Sequence, residues 1–384
     1  MRFGIFGSVV LGGLLLAAAP RPLAAAPEVV VTIKPVHSLV AAVMGEGADP
    51  TLLVRGAASP HNYSLRPSDA KALNQAQLVF WVGEGLESFL IEPLAALSGK
   101  AKVVEVATLP GIGLLETREG GAWEAHVHDE DEEHDHDGHA SEAEGHAHEK
   151  DDHDHAASHA EHDHDEHGHA EHAHEEHAHD EHGHEEHGHA EHAHDEHGHD
   201  EHGHDAHGHA GGKDMHLWLD PGNAKVIVEA AVKSLSDIDP ANAERYRANG
   251  KAALARLDAL DEELKTALAP VGEVPFVVFH DAYQYFEAHY GLTAVGSISV
   301  SEGRAPGAKR LREVRGKIAE TGARCVFAEP QFEPALVATV IEGTSARTGV
   351  LDPVGAELDA GAAAYGQLLR GLAADLKKCL APAS

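Results

Sequence analysis

The chain has 384 residues, enough for two ordinary domains, and carries 29 basic against 64 acidic side chains for a formal charge of −35. That charge is local: residues 124–210 hold 31 acidic side chains and a single lysine, Lys150, which leaves the remainder at only about −5. No basic patch survives to recognise DNA or other nucleic acid, and the acidity belongs to one segment.

The chain opens MRFGIFGSVVLGGLLLAAAPRPLAAAP, with one early arginine, an apolar run from Ile5 to Ala19 and small residues through Ala26. This is the layout of a cleaved secretory leader over 1–26, an uncleaved anchor being the competing reading. The apolar run is shorter than the ~20 residues a membrane span needs, and no other segment approaches that length. An exported, soluble protein is expected.

Past the leader the elements alternate. "EVVVTI", "TLLV", "LVFWV" and "AKVVEV" read as strands, separated by helical patterns at "PVHSLVAAVMG", "RPSDAKALNQA" and "LESFLIEPLAALSG". A low-complexity stretch over 122–212 then interrupts the chain. It holds 30 of the 35 histidines, and from His162 a His-x-His unit recurs every five residues. Trp123 and Val127 aside, it offers nothing to build a core, and a period of five fits neither helix nor strand. It is expected to be a disordered loop insert that binds additional divalent metals weakly.

A helix is predicted from Pro221 to about Leu235, then a long one over 240–269 with Leu257, Leu260, Leu264 and Leu268 on one face. Asp239 is its expected N-cap and Pro270 its stop, and roughly 28 helical residues would reach about 42 Å, a stiff strut between two domains. "PFVVF", "LTAVGSI", "RCVFAE" and "GVLD" are the strands of a second half. Helices at "DAYQYFEAHYG", "GAKRLREVRGKIAETG" and "PALVATVIEGTSART", and a closing one over 362–380, complete it. The fold class is therefore α/β: two (β/α) lobes with parallel sheets, an N-terminal lobe over 27–121 and 213–239, and a C-terminal lobe over 270–384.

Four motifs fall just past strand ends or beside the insert, where open α/β sheets hold ligands. "GAASPHNYSLRPSD" offers His61, "DMHLWLDP" offers His216, "FVVFHDAYQYF" offers His280, and "GVLDPVG" offers Asp352. If the lobes face each other, three imidazoles and a carboxylate make a site suited to Zn²⁺, since manganese and calcium favour more oxygen. Glu329 is a candidate to orient one imidazole, with a structural capping role as the equal alternative. Tyr63 and Trp218 are expected to wall the site. His37 is expected to pack in its helix, and His289 to meet a helix dipole at a C-terminus. A three-histidine centre with an open position is also a layout for hydrolysis, with Asp281 or Glu329 as base, but no HExxH pair or nucleophile elbow accompanies it, and no enzyme is expected. Cys325 and Cys379, an even count in an exported chain, suggest a disulfide, with two free thiols as the alternative.

"SPHNYSLRPSD", "HLWLDP", "VFHDAYQYF", "FAEPQF" and "LDPVG" together resemble the zinc-specific solute-binding proteins of bacterial ABC importers, the ZnuA type, from about Val29 to the C-terminus. The resemblance implies two lobes joined by a rigid helix, with Zn²⁺ held between them by His61, His216 and His280. Asp352 maps onto the family's last carboxylate, a position that water or another acid fills in some zinc members. Manganese-type relatives have glutamate where this chain has His280. The resemblance further implies a Cys325–Cys379 disulfide, a periplasmic monomer, and as partners an importer permease with its ATPase. A receptor for a related manganese or iron importer, and a stand-alone periplasmic zinc buffer or chaperone, are the alternatives.

Overall fold

Three consecutive valines, Val29–Val31, form β1, and all three are buried, as expected of a strand covered on both faces. The computed structural model describes residues 26–96, 100–118, 123, 212–299, 306–332 and 334–382. The expected leader and the histidine-rich insert lie outside the described residues, save Ala26, Trp123 and Gly212.

Among the described residues β1 is joined by β2 (Thr51–Leu52), β3 (Leu78–Trp81) and β4 (Lys102–Glu105) in a parallel sheet ordered β2-β1-β3-β4. The second half repeats this order with β5 (Phe276–Val278), β6 (Ala294–Ser297), β7 (Cys325–Ala328) and β8 (Arg347–Val350), as β6-β5-β7-β8. In both sheets the chain runs outward in opposite directions from the central pair, which opens a crevice beyond the strand ends at β1/β3 and β5/β7.

The helices are α1 (Lys34–Met44), α2 (Pro67–Gln75), α3 (Ile91–Ala96), α4 (Pro221–Ile238), α5 (Ala243–Leu268), α6 (Gln284–Tyr290), α7 (Ala308–Thr321), α8 (Pro334–Ile341) and α9 (Ala364–Leu380). Of the helices with proline in the first turn, α1, α2 and α4 lose nothing by its missing N–H there. His37 is buried on α1, its Nε2 2.7 Å from the Pro50 carbonyl, so it packs as expected.

The strut differs in detail. A 3₁₀ turn, Pro240–Asn242, precedes α5, whose 26 residues reach about 39 Å. Asp239 is not its cap; it accepts instead from Asn242 and Tyr246, each at 2.7 Å, fastening the turn to the helix. Nor does α5 stand clear of the lobes. Its face of Tyr246, Ala253, Leu257, Leu260, Leu264 and Leu268 joins one continuous buried cluster with residues of both sheets, such as Val31, Phe80, Phe276 and Phe327. At Gly250 a Cβ would collide with Val232, so glycine there lets α5 press against α4. The two lobes share a core rather than own one each. Smaller clusters lie on the outer face of each sheet.

Polar ties cross between the halves as well. The Trp218 indole donates to the Pro353 carbonyl at 2.8 Å, the Tyr365 hydroxyl to the Trp218 carbonyl at 2.9 Å, and Lys34 Nζ to the carbonyls of Gly355 and of Ala356, the latter at 2.9 Å. Cys325 and Cys379 form a disulfide joining β7 to the last turn of α9.

Candidate metal centre between the lobes

His61 lies on the long connection from β2 to α2. Its neighbours in the motif fix that connection: the buried Tyr63 hydroxyl donates to Asp69 Oδ2 at 2.9 Å and to the Leu53 carbonyl at 3.2 Å, while Asp69 also accepts the Arg66 N–H at 3.0 Å. Asp69 thus caps α2 and pins the loop at once, which explains a tyrosine and an aspartate at those spacings. His216 ends the chain's return from the insert and opens a 3₁₀ turn, Leu217–Leu219, after which Asp220 caps α4 by accepting from Gly222 N–H at 2.7 Å. Trp218, fully buried, lies under His216 with ring centroids 5.3 Å apart. His280 sits two residues beyond β5, and Glu329 one residue beyond β7, at the crevice of the second sheet.

These elements bring His61, His216 and His280 together, with one ligand atom from each lying within 4.8 Å of the others. The His216 Nε2 stands 3.3 Å from the Nε2 of both His61 and His280. Zn–N bonds of about 2.0–2.1 Å at the tetrahedral angle put neighbouring donors about 3.3–3.4 Å apart. The spacing suits that ion.

Two carboxylates set the rings. His280 Nδ1 lies 2.7 Å from Glu329 Oε1, and His216 Nδ1 lies 2.8 Å from Asp214 Oδ1, which also accepts the His216 backbone N–H at 2.9 Å. A ring that gives its Nδ1 proton to a carboxylate presents a bare lone pair at Nε2. Two such lone pairs cannot hydrogen-bond each other across 3.3 Å; a cation between them can be shared. His61 lies at the rim, half-buried, with its ring nitrogen turned inward. Withdrawal from water, then the other two imidazoles, hold its pKa well below the usual imidazole range.

The fourth expected ligand, Asp352, is not brought into this group. Its Oδ1 accepts the N–H groups of Val354 at 3.1 Å and Gly355 at 2.9 Å, and its Oδ2 that of Ala356 at 2.5 Å. The carboxylate closes the loop whose carbonyls take Lys34 and Trp218. β8 also ends two residues earlier than "GVLD" suggested, so Asp352 starts the loop rather than ending the strand.

The sequence reading missed Asp214. The available signal was its place two residues before His216, a spacing short enough for one oxygen to reach both the backbone and the ring. His289 lies in the last turn of α6, as expected, and has two carboxylate partners besides. It bridges Asp220 at 3.0 Å and Asp261 at 2.7 Å, and the hydrogen bond to Asp220 is the main cause that raises its pKa. Asp281, considered as a base, is gripped by Arg118.

Two parallel-sheet lobes on a common core thus hold three imidazoles that could bind a metal ion in the crevice between them. The chain belongs to the ZnuA family: the family model described as zinc-uptake complex component A, periplasmic, matches residues 29–379. Among its relatives, the high-affinity zinc uptake system protein ZnuA of Brucella abortus (strain 2308) is 48% identical over 352 residues, covering 92% of this chain and 91% of that one. The protein of the same name from Paracoccus denitrificans (strain Pd 1222) is 41% identical over 374 residues, covering 97% and 98%. The fold is shared with a crystal structure of ZnuA, at 22% identity and a TM-score of 0.62 over 93% of this chain and all of that one. It is also shared with the periplasmic zinc-binding protein TroA of Treponema pallidum, at 20% identity and a TM-score of 0.63, covering 93% and 100%.

Proposed function

We propose that this chain captures Zn²⁺ in the periplasm through His61, His216 and His280 and delivers it to the permease and ATPase of an ABC importer in the inner membrane. The observation that carries the reading is the pair of 3.3 Å Nε2 separations among three inward-turned imidazoles. An all-nitrogen set favours zinc over manganese, which takes more oxygen. Membership of a family of periplasmic zinc-uptake components supports the delivery step, and the leader-like sequence pattern over 1–26 supports export.

Capture exchanges water on the aquo ion for three imidazoles, since a ligating nitrogen must be free of its proton. The buried carboxylates behind His216 and His280 accept from the ring Nδ1 atoms and prevent those rings from turning away. Asp352 shapes the loop, and the fourth position is left to water. The insert offers further divalent ions its repeated His-x-His pairs and carboxylates, each a weak site by donor chemistry alone.

A chain lacking residues 124–210, titrated with zinc against a chelating dye, is expected to keep one tight site per molecule and lose the weak ones. Loss of the tight site with the deletion would show the assignment to the lobes to be wrong. The supporting carboxylates have their own expected result. Asp214→Asn and Glu329→Gln each weaken zinc binding by about 10–100-fold, the usual cost of losing an outer partner of a ligating histidine. Competition titration measures it, and full affinity in both variants would mean the rings are held by something else.

A further inference from the structure

The ends of the segment 119–211 are zipped together beside the metal centre. Glu116 and Lys213 form an antiparallel bridge and an ion pair; Thr117 N–H donates to the Gly212 carbonyl at 2.6 Å and Asp214 N–H to the Leu115 carbonyl at 2.9 Å. Tyr285 of α6 straddles this stem, donating to the Asp214 carbonyl at 2.6 Å and accepting the Leu115 N–H at 3.0 Å.

At the end of the stem stands Arg118. Its Nε donates to Asp281 at 2.9 and 3.1 Å and its Nη2 also reaches that carboxylate; Nη1 donates to Glu287 Oε2 at 2.6 Å and Nη2 to Oε1 at 3.1 Å. The Trp123 ring covers the guanidinium, 3.6 Å from its Cζ. One planar cation therefore grips two carboxylates of the C-terminal lobe in a fork that a lysine cannot reproduce. The stem it terminates includes Asp214, which orients His216, and Asp281 is the residue after His280. Two imidazoles that approach from different lobes are thus tied to each other through this single guanidinium.

We propose that Arg118 is a positioning residue that clasps the stem and the His216 side of the cleft to the His280 side, and that it sets how fast the bound metal leaves. This rests on the reading that the three histidines hold the ion. Charge alone predicts the opposite sign. Removing a cation from beside two carboxylates makes the neighbourhood more negative and would retain Zn²⁺ longer, whereas loss of the clasp lets the imidazoles part and releases it sooner.

The test is stopped-flow release of Zn²⁺ from the full-length chain into excess chelator, for the parent, Arg118→Gln and Arg118→Lys. The release rate is expected to rise about tenfold in Arg118→Gln, at the lower end of what loss of a supporting partner costs a metal site, with association within about twofold of the parent. Arg118→Lys, a point charge without the fork, falls between. A release rate that is unchanged or slower in a folded variant overturns the clasp. If Arg118→Gln fails to fold, Arg118→Lys decides, and parental release from it is equally fatal. A parent that binds no zinc tightly would instead sink the site itself.

Discussion

His216→Ala is expected to weaken zinc binding by well over 100-fold, since removing a ligand outright exceeds the ~10–100-fold cost of removing its outer partner. His216 is chosen because its Nε2 is the common neighbour of the other two donors at 3.3 Å, so its loss leaves His61 and His280 without the nitrogen between them. The variant should fold. Metal-free, the parent holds inward lone pairs close together, and trimming one ring relieves that opposition. The separation of affinity from folding shows in thermal scans. Zinc at 100 times its dissociation constant stabilises the parent by about 2.7 kcal/mol, and the variant should show no such upshift at that concentration. Parental affinity in His216→Ala, measured by chelator competition, would end the proposal that these three side chains hold the ion.

The second large effect concerns stability with binding left intact. Replacing both cysteines, Cys325→Ser with Cys379→Ser, reopens a loop of 54 residues. The chain-entropy model puts the loss at about 4 kcal/mol. For a folded unit of this size that lowers the melting temperature by roughly 10 °C. Zinc affinity at 25 °C should stay within about threefold, because the bridge sits at the start of β7, at the far end of the strand from Glu329. Calorimetry on the oxidised and serine forms measures the first quantity, and the same titration the second. A melting point within 2 °C of the parent would mean that native-state strain cancels the entropic gain, as disputed accounts of disulfides allow.

The two halves and their alternating strands and helices were legible because each depends on short-range pattern: runs of Val, Ile, Leu and Phe, and apolar steps of three and four; the candidate histidines stood out only through the several motifs around them taken together. Several carboxylates were not separable that way. Asp214, Asp281, Glu329 and Asp352 all stand within a few residues of a ligand-bearing motif or a strand end, and as letters they are equivalent. Their roles diverge only when the destinations of their oxygens are known. Asp214 and Glu329 meet ring nitrogens, Asp281 meets a guanidinium from the other lobe, and Asp352 meets three amides of its own loop. Three of these partners come from nearby sequence or an adjacent strand; Arg118 is 163 residues from Asp281, and no periodicity reports such a pairing. The amphipathic face of α5 was readable, but that it would bury itself in a core common to both sheets was not, since one helix's pattern does not say how many partners cover it.

The shared core limits how a bound ion can escape. Swinging the halves apart would bring side chains such as Trp218, Leu264, Phe276 and Tyr365 into water. At about 1.5–3 kcal/mol each, exposing four of them costs about 6–12 kcal/mol. A gap of that size leaves fewer than about one molecule in ten thousand splayed at any instant. For an ion held as proposed above, release from the isolated protein would then run through small excursions of the imidazoles rather than through opening of the lobes.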